Sequence, residues 1–219
     1  MEPSDGVLAR RASGVLRERS WPAHQALEST SAARRLLSPD LTLPRYAQIL
    51  QRWHQCWAQL EAHAEAHAPA HVPAHLRPIK RAHHAVHDLA YLGHDPLPPR
   101  TTDSPVHLPD ARGHRWYGLA YVMQGSALGG QVIAVHLQRL LGLRAGLGGS
   151  FFGAGLDTAA TGPHVSLRRR WDDWLLWLDH ELTHSDDQDQ AADAALATFT
   201  FIHHTFSNFP DALDGDLKP

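Results

Sequence analysis

The segment from Arg115 to Leu143 constrains the fold most. It is apolar along most of its length and too long for a strand, so it reads as a helix. Yet it carries Gly125, Gly129 and Gly130 within six residues. Each interior glycine costs a helix about 1 kcal/mol relative to alanine, so the three together cost roughly 3 kcal/mol. Something must offset that. Gly125 and Gly129 are four apart and share a face. Without Cβ atoms, that face lets a neighbour approach the backbone closely. The neighbour is either another helix or a flat ligand, and the helix is expected to kink there.

The rest of the chain is helical in character. Leu, Ala, Arg, Gln and Glu are plentiful, and alternating β-branched runs are nearly absent. A first helical region covers Val7 to Glu28, with an interruption expected at Ser20-Trp21-Pro22, where Ser20 suits an N-cap and Pro22 a first turn. A short helix is expected over Ser31 to Leu37, and a longer one over Pro44 to His67 with Tyr46, Ile49, Leu50, Trp53, Trp57 and Leu60 along one stripe. Further helices are expected at Ile79 to Leu92, Leu167 to Thr183 and Ala191 to Phe209. Gly93 to Pro109, with five prolines, reads as an irregular connection, and Gly142 to Gly155 as a loop. The expectation is an all-α fold of seven or eight helices, one domain over 1–219, with a mobile tail after about 210.

Composition narrows the function classes. A formal charge of −3 gives no basic excess for nucleic acid or an anionic membrane. One cysteine cannot form an internal disulfide, which points to a reducing compartment, and Cys56 reads as packing. Met1 to Arg11 lacks the apolar core of a signal peptide, and no apolar run is long enough to span a bilayer. The expected location is the cytoplasm. There is no phosphate-binding loop, dinucleotide fingerprint or nucleophile elbow.

The chain has 18 histidines. His63, His67, His71 and His75 recur every four residues, but Pro69 and Pro73 forbid the continuous helix that would align them as a metal strip. A polar, partly solvated surface is the expectation there. His24 is different. Glu28, four residues on, shares its helical face and can orient the imidazole. An oriented neutral imidazole is a typical haem iron ligand. A plain surface pair is the alternative.

Arg17, Trp21-Pro22-Ala23-His24-Gln25-Ala26-Leu27-Glu28 and Gln124-Gly125-Ser126-Ala127-Leu128-Gly129-Gly130-Gln131, about a hundred residues apart, resemble the haem oxygenases. The likeness is to the bacterial, phytochrome-associated forms that produce biliverdin, and it spans roughly residues 7 to 208. Arg34 to Leu37, Ser150-Phe151-Phe152 and Ala197-Thr198-Phe199 carry it further. The resemblance implies a helical bundle in which haem lies between a proximal helix and a kinked, glycine-rich distal helix. By position it implies His24 as axial ligand and Glu28 as its partner. Arg17 and Tyr121 would stand near a propionate, and Phe206 would pack on the haem. Gly125 and Gly129 would open the distal side to O2, with Ser126 anchoring ordered water.

Three departures from the mammalian pattern stand out. An Asp that anchors the distal water network is Ser126 here, and a propionate-binding Tyr is Ala120, with Tyr117 and Tyr121 close by. The basic pair of the penultimate helix is only approximated by Arg168, Arg169 and Arg170. The activity implied is O2-dependent cleavage of haem to biliverdin, CO and ferrous iron. Haem is both substrate and cofactor. No electron-carrying motif is present, so the reductant is external: a ferredoxin, flavodoxin or reductase. A bilin-binding photoreceptor is the implied downstream partner, with neither nucleic acid nor membrane involved. The departures keep a haem or tetrapyrrole carrier without turnover as the alternative, and a His-rich metal binder as the third reading.

Overall fold

Local chemistry explains most helix boundaries in the computed structural model, which describes residues 10–98, 107–154 and 166–207. Arg11 caps α1 (Ala12–Glu28) in extended conformation, and the Thr30 hydroxyl accepts from the Ala33 N–H to open α2 (Ser31–Leu36). Pro44 sits in the first turn of α3 (Leu43–Ala66), where its missing N–H costs nothing. A 3-10 turn at Ala74–Leu76 precedes α4 (Ala82–Tyr91). Next comes α5 (Arg115–Leu141), closed by Gly142 at φ +69°. A single turn, α6 (Ser150–Gly153), interrupts the stretch expected as loop. Ser166 caps α7 (Leu167–Glu181) through the Arg169 N–H, and α8 (Ser185–Ser207) begins with Asp186 and Asp187 in its first turn.

The described regular structure is helical throughout, as expected. Residues 99–106 of the expected connection, and the tail after 210, lie outside the described residues. No helix among the described residues is long and apolar enough to cross a membrane.

The interruption expected at Ser20-Trp21-Pro22 does not occur. α1 runs through Pro22. Ser20 is no cap: it is buried, and its hydroxyl donates to the Leu16 carbonyl at 2.7 Å. Pro22 removes the donor for the Glu18 carbonyl, and that residue lies on the exposed side of the helix, where solvent can serve the oxygen.

Two apolar clusters form the interior. One surrounds Tyr46, Trp57, Phe151 and Phe206; the other surrounds Leu16, Trp116, Trp174 and Leu178. Cys56 lies buried in the first. α8 joins the two clusters and carries α1 and α5 along its length. Both run parallel to it. Arg10 just before α1, and Arg19 and His24 on it, meet Gln188, Asp189 with Asp193, and Phe199 in that order. His114 and Arg115, at the start of α5, meet Asp187 and Gln190, and Gly118 meets Ala191 and Ala195.

Among the described glycines, Gly118 makes the tightest approach. A Cβ there would fall onto the Ala191 carbonyl oxygen and lie 2.7 Å from the Ala195 nitrogen. Backbone cannot swing aside as a side-chain tip can, so α5 and α8 must separate to admit even one methyl group. Gly118→Ala is therefore expected to destabilise the fold by about 2 kcal/mol or more. The matching control is Gly14→Ala on α1, where nothing lies within 4 Å and helix propensity alone should add up to about 1 kcal/mol. Urea unfolding of the two variants checks both signs.

Candidate functional site

α1 and α5 lean on α8 rather than packing along each other. Their parallel register puts specific residues at one height. Gly118 sits at the level of Ala191 and Ala195, so Gly125, seven residues on, sits near the level of residues 198–202. His24 sits at the level of Phe199. His24, Gly125 and Gly129 thus occupy the same stretch of α8.

His24 is held on three sides. Its ring stacks on Trp21 at 5.2 Å and 9°, and meets the edge of Phe199 at 5.3 Å. Its Nδ1 lies 3.6 Å from Glu28 Oε2, slightly too far for a direct hydrogen bond, and is buried without a partner. A buried polar nitrogen beside a carboxylate is poised for a short closure or one bridging water.

The α5 wall is bare at the same height. A Cβ at Gly129 would meet nothing within 4 Å, while Gly125 has only the ring tip of Trp171 near it, at 3.4 Å. Val132 shares that face by helical spacing and stands 62 % exposed, with Val135 one turn further at 65 %. Trp21 on α1 is also 45 % exposed. Apolar side chains are thus left open on both of the helices that α8 carries. The close helix approach that the glycines might have served is instead made by Gly118.

Arg17 and Tyr121 come together at one end of this stretch. Burial raises the Tyr121 hydroxyl pKa, and the Arg17 charge partly offsets that rise. Arg17 is exposed on α1. Tyr117, the other tyrosine beside buried Ala120, is committed elsewhere: its hydroxyl bonds Glu181 at 3.3 Å and His71 at 3.0 Å.

Other expected residues lie in different settings. Phe206 is buried against Trp53, with ring centroids 4.8 Å apart; the α8 aromatic beside His24 is Phe199. Arg168 and Arg169 pair with Asp172 and Asp173 on the exposed face of α7, while Arg170 donates to the Arg77 carbonyl. The α7 residue that reaches the distal glycines is Trp171, also 5.2 Å from the Tyr121 ring. Ser126 turns away from Gly125 toward the buried Arg81.

The histidine-rich stretch serves structure. His63 Nε2 bonds the Pro109 carbonyl at 2.8 Å, His67 Nδ1 bonds the His63 carbonyl at 2.9 Å, and His71 joins Tyr117 and Glu181. No group of three or more potential ligands able to hold a metal ion occurs among the described residues. Burial lowers the pKa of His54, His63 and His84.

A haem oxygenase family model matches residues 10–208. Among solved structures, the haem oxygenase of Leptospira interrogans is similar with a TM-score of 0.70 and 18 % identity, over 91 % of this chain and 100 % of that one. The NO- and CO-bound haem oxygenase of Neisseria meningitidis gives 0.67 and 18 %, over 93 % and 96 %. Haem oxygenase-1 of Synechocystis in complex with haem gives 0.66 and 13 %, over 90 % and 91 %. No curated protein sequence matches the chain.

Two outcomes are expected from this geometry. Gly129→Ala should stabilise the ligand-free protein by about 1 kcal/mol, because the methyl enters open space and helix propensity improves; thermal unfolding measures it. Acid should destabilise the fold through His54, His63 and His84. Their folded pKa values lie below the unfolded value of about 6.5, so the unfolded chain takes up protons first as pH falls. This contribution is complete above about pH 6.5 and is lost as pH falls toward the folded values. The urea midpoint should drop between neutral and mildly acid pH, less steeply in His54→Gln/His63→Gln.

Proposed function

Since the chain belongs to the haem oxygenase family, whose members degrade haem, we propose that haem lies between α1 and α5 with His24 as its axial ligand. The observation that carries this reading is the buried, unpartnered His24 Nδ1 beside Glu28, at the height of a glycine face open to solvent. These residues fit the group. A haem iron takes a neutral imidazole whose second nitrogen is oriented by an acceptor, and a flat macrocycle needs a bare wall.

Bound haem supplies the iron and the porphyrin that is cleaved, with O2 and electrons consumed there. The chain supplies position and electrostatics. Trp21 and Phe199 fix the plane of His24, and Glu28 receives the Nδ1 proton through a short closure or one bridging water, which leaves the Nε2 lone pair free. Arg17 and the Tyr121 hydroxyl meet a propionate at one end. Gly125 and Gly129 present backbone and no acid–base side chain, so the distal side stays uncrowded. Trp171 closes the wall at Gly125, and Val132 continues its apolar surface.

The products we assign are biliverdin, CO and ferrous iron. The electrons come from a ferredoxin, flavodoxin or reductase, since the sequence has no flavin, nicotinamide or iron–sulfur motif. A bilin-binding photoreceptor is the downstream consumer. We also infer a single functional domain in the cytoplasm, a reducing compartment that suits a chain whose single cysteine, Cys56, is buried.

Hemin titration followed by reductant and air tests the reading. The protein should bind one haem with a histidine-ligated spectrum and convert it to biliverdin. His24→Ala should abolish that spectrum; its persistence would assign the ligand to another histidine. Gly129→Ala should still bind haem but turn it over at least about tenfold more slowly, a loss of about 1.4 kcal/mol. Unchanged turnover would remove that glycine from the site. Arg17→Glu should weaken haem retention or alter the biliverdin isomer, because like charges then face each other.

A further inference from the structure

We propose that the outer face of α4 carries a binding site for one divalent late transition-metal ion, with His83 and His87 as its two protein ligands. The site is independent of where haem binds.

α4 starts at Ala82, so His83 and His87 stand one helical turn apart on one face. Ala82, Ala85, Asp88 and Leu89 take the buried face, which packs on α3 and α6. His83 and His87 are both exposed. Their rings meet edge to face, with centroids 6.4 Å apart at 88°. A metal ion held at about 2.0–2.1 Å by one nitrogen of each ring brings the centroids to about 5 Å. Exposed histidines close that gap by turning about their own side-chain bonds, so the helix need not move. The His84 ring rests on His83, with centroids 3.9 Å apart, and narrows the positions open to it.

The nitrogens are free to ligate. Among the described residues neither ring makes a hydrogen bond or an ion pair. Other histidines at the same spacing are committed. His63 and His67 bond to the Pro109 and His63 carbonyls, and His71 Nε2 lies 3.0 Å from both Tyr117 and Glu181. The fixed charges that reach this turn of α4 are Arg81 and Asp88, which oppose each other. Asp88 faces inward, where Oδ2 accepts the Phe151 N–H at 2.7 Å, and supplies no ligand. No third protein ligand converges on the pair among the described residues, so water completes the coordination.

Two neutral imidazoles set the class of ion. They suit Cu2+, Ni2+ and Zn2+, whereas Mg2+ and Ca2+ take oxygen ligands. With neither thiolate nor carboxylate in the set, affinity should follow the general order for divalent ions, with Cu2+ above Ni2+ and Zn2+. Two histidines four apart on a helix are a known way to seat such an ion.

The test is calorimetric titration of Zn2+, Ni2+ and Cu2+, each alone in a non-chelating buffer at about pH 7.5, where free imidazole is neutral. The proteins are the parent, His83→Gln, His87→Gln and His71→Gln. The parent should hold one ion more tightly than any further ones, and excess Mg2+ should not displace it. Either α4 variant should weaken that ion at least about tenfold, because loss of one ring ends the chelation. His71→Gln removes the competing histidine–carboxylate pair and should bind as the parent does. Bound Cu2+ should show splitting from two nitrogens in its electron paramagnetic resonance spectrum. The affinity should be the same with and without added hemin, which sets the site apart from His24. A parent that binds no ion, undiminished binding in either α4 variant, loss of the ion in His71→Gln, a single-nitrogen Cu2+ spectrum, or an ion that hemin displaces overturns the proposal. His83 and His87 are exposed, so their variants should fold as the parent does; equal thermal midpoints without metal check this.

Discussion

The contact of α5 with α8 at Gly118 sets the geometry on which the site depends. Two backbones meet there without an intervening side chain, so the sliding freedom that ordinary ridge-and-groove packing leaves is lost. The height of every later α5 residue along α8 follows. Gly125 and Gly129 reach the level of His24 because the helices run parallel from a fixed point. α1 is fixed on the same helix by Arg19, which pairs with both Asp189 and Asp193. These pairs are exposed and contribute little energy. Their effect is on register, while Val15 and Leu16 supply the burial.

Glycine does three different things along α5. At Gly118 it admits a helix, at Gly129 it leaves space, and at Gly130 it admits the Phe152 carbonyl and the Arg81 side chain. The helix-propensity cost, about 1 kcal/mol at each position, is thus offset by three separate contacts or uses rather than one. Trp116 Nε1 on the Ala64 carbonyl and Gln124 Nε2 on the Leu76 carbonyl, both at 2.8 Å, tie the same helix to the α3 side. The open face is therefore presented by a helix held on its other sides, which suits a rigid ligand wall.

The two walls differ in chemistry. The α1 face offers an imidazole with a carboxylate beside it, and the α5 face offers bare backbone at Gly125 and Gly129. Charge is placed at the margins: Arg17 near Tyr121 at one end, and Arg81 sealed behind the distal helix. Of the other histidines, His63 and His67 bond to backbone carbonyls and His71 joins Tyr117 and Glu181, away from this axis.

Helices, their approximate bounds and the His24–Glu28 pair were legible in the sequence, because periodicity, caps and i,i+4 spacing are local properties of the chain. So was the oddity of glycine inside an apolar helix. Local rules misjudged Pro22, since whether a helix tolerates proline depends on which carbonyl loses its donor and whether water reaches it. Trp171 and Arg81 lie about 45 residues on either side of the distal glycines in the chain, and nothing in their neighbouring residues announces the meeting. Phe199 and Phe206 share the α8 stripe, but only the packed bundle turns one toward His24 and the other toward Trp53. The sequence by itself determined the helices and the pairing of His24 with Glu28 on one face of α1. Tertiary structure decided which glycine touches a helix, which faces open space and which lets a buried cation approach, because those outcomes depend on the relative height and rotation of helices remote in the chain.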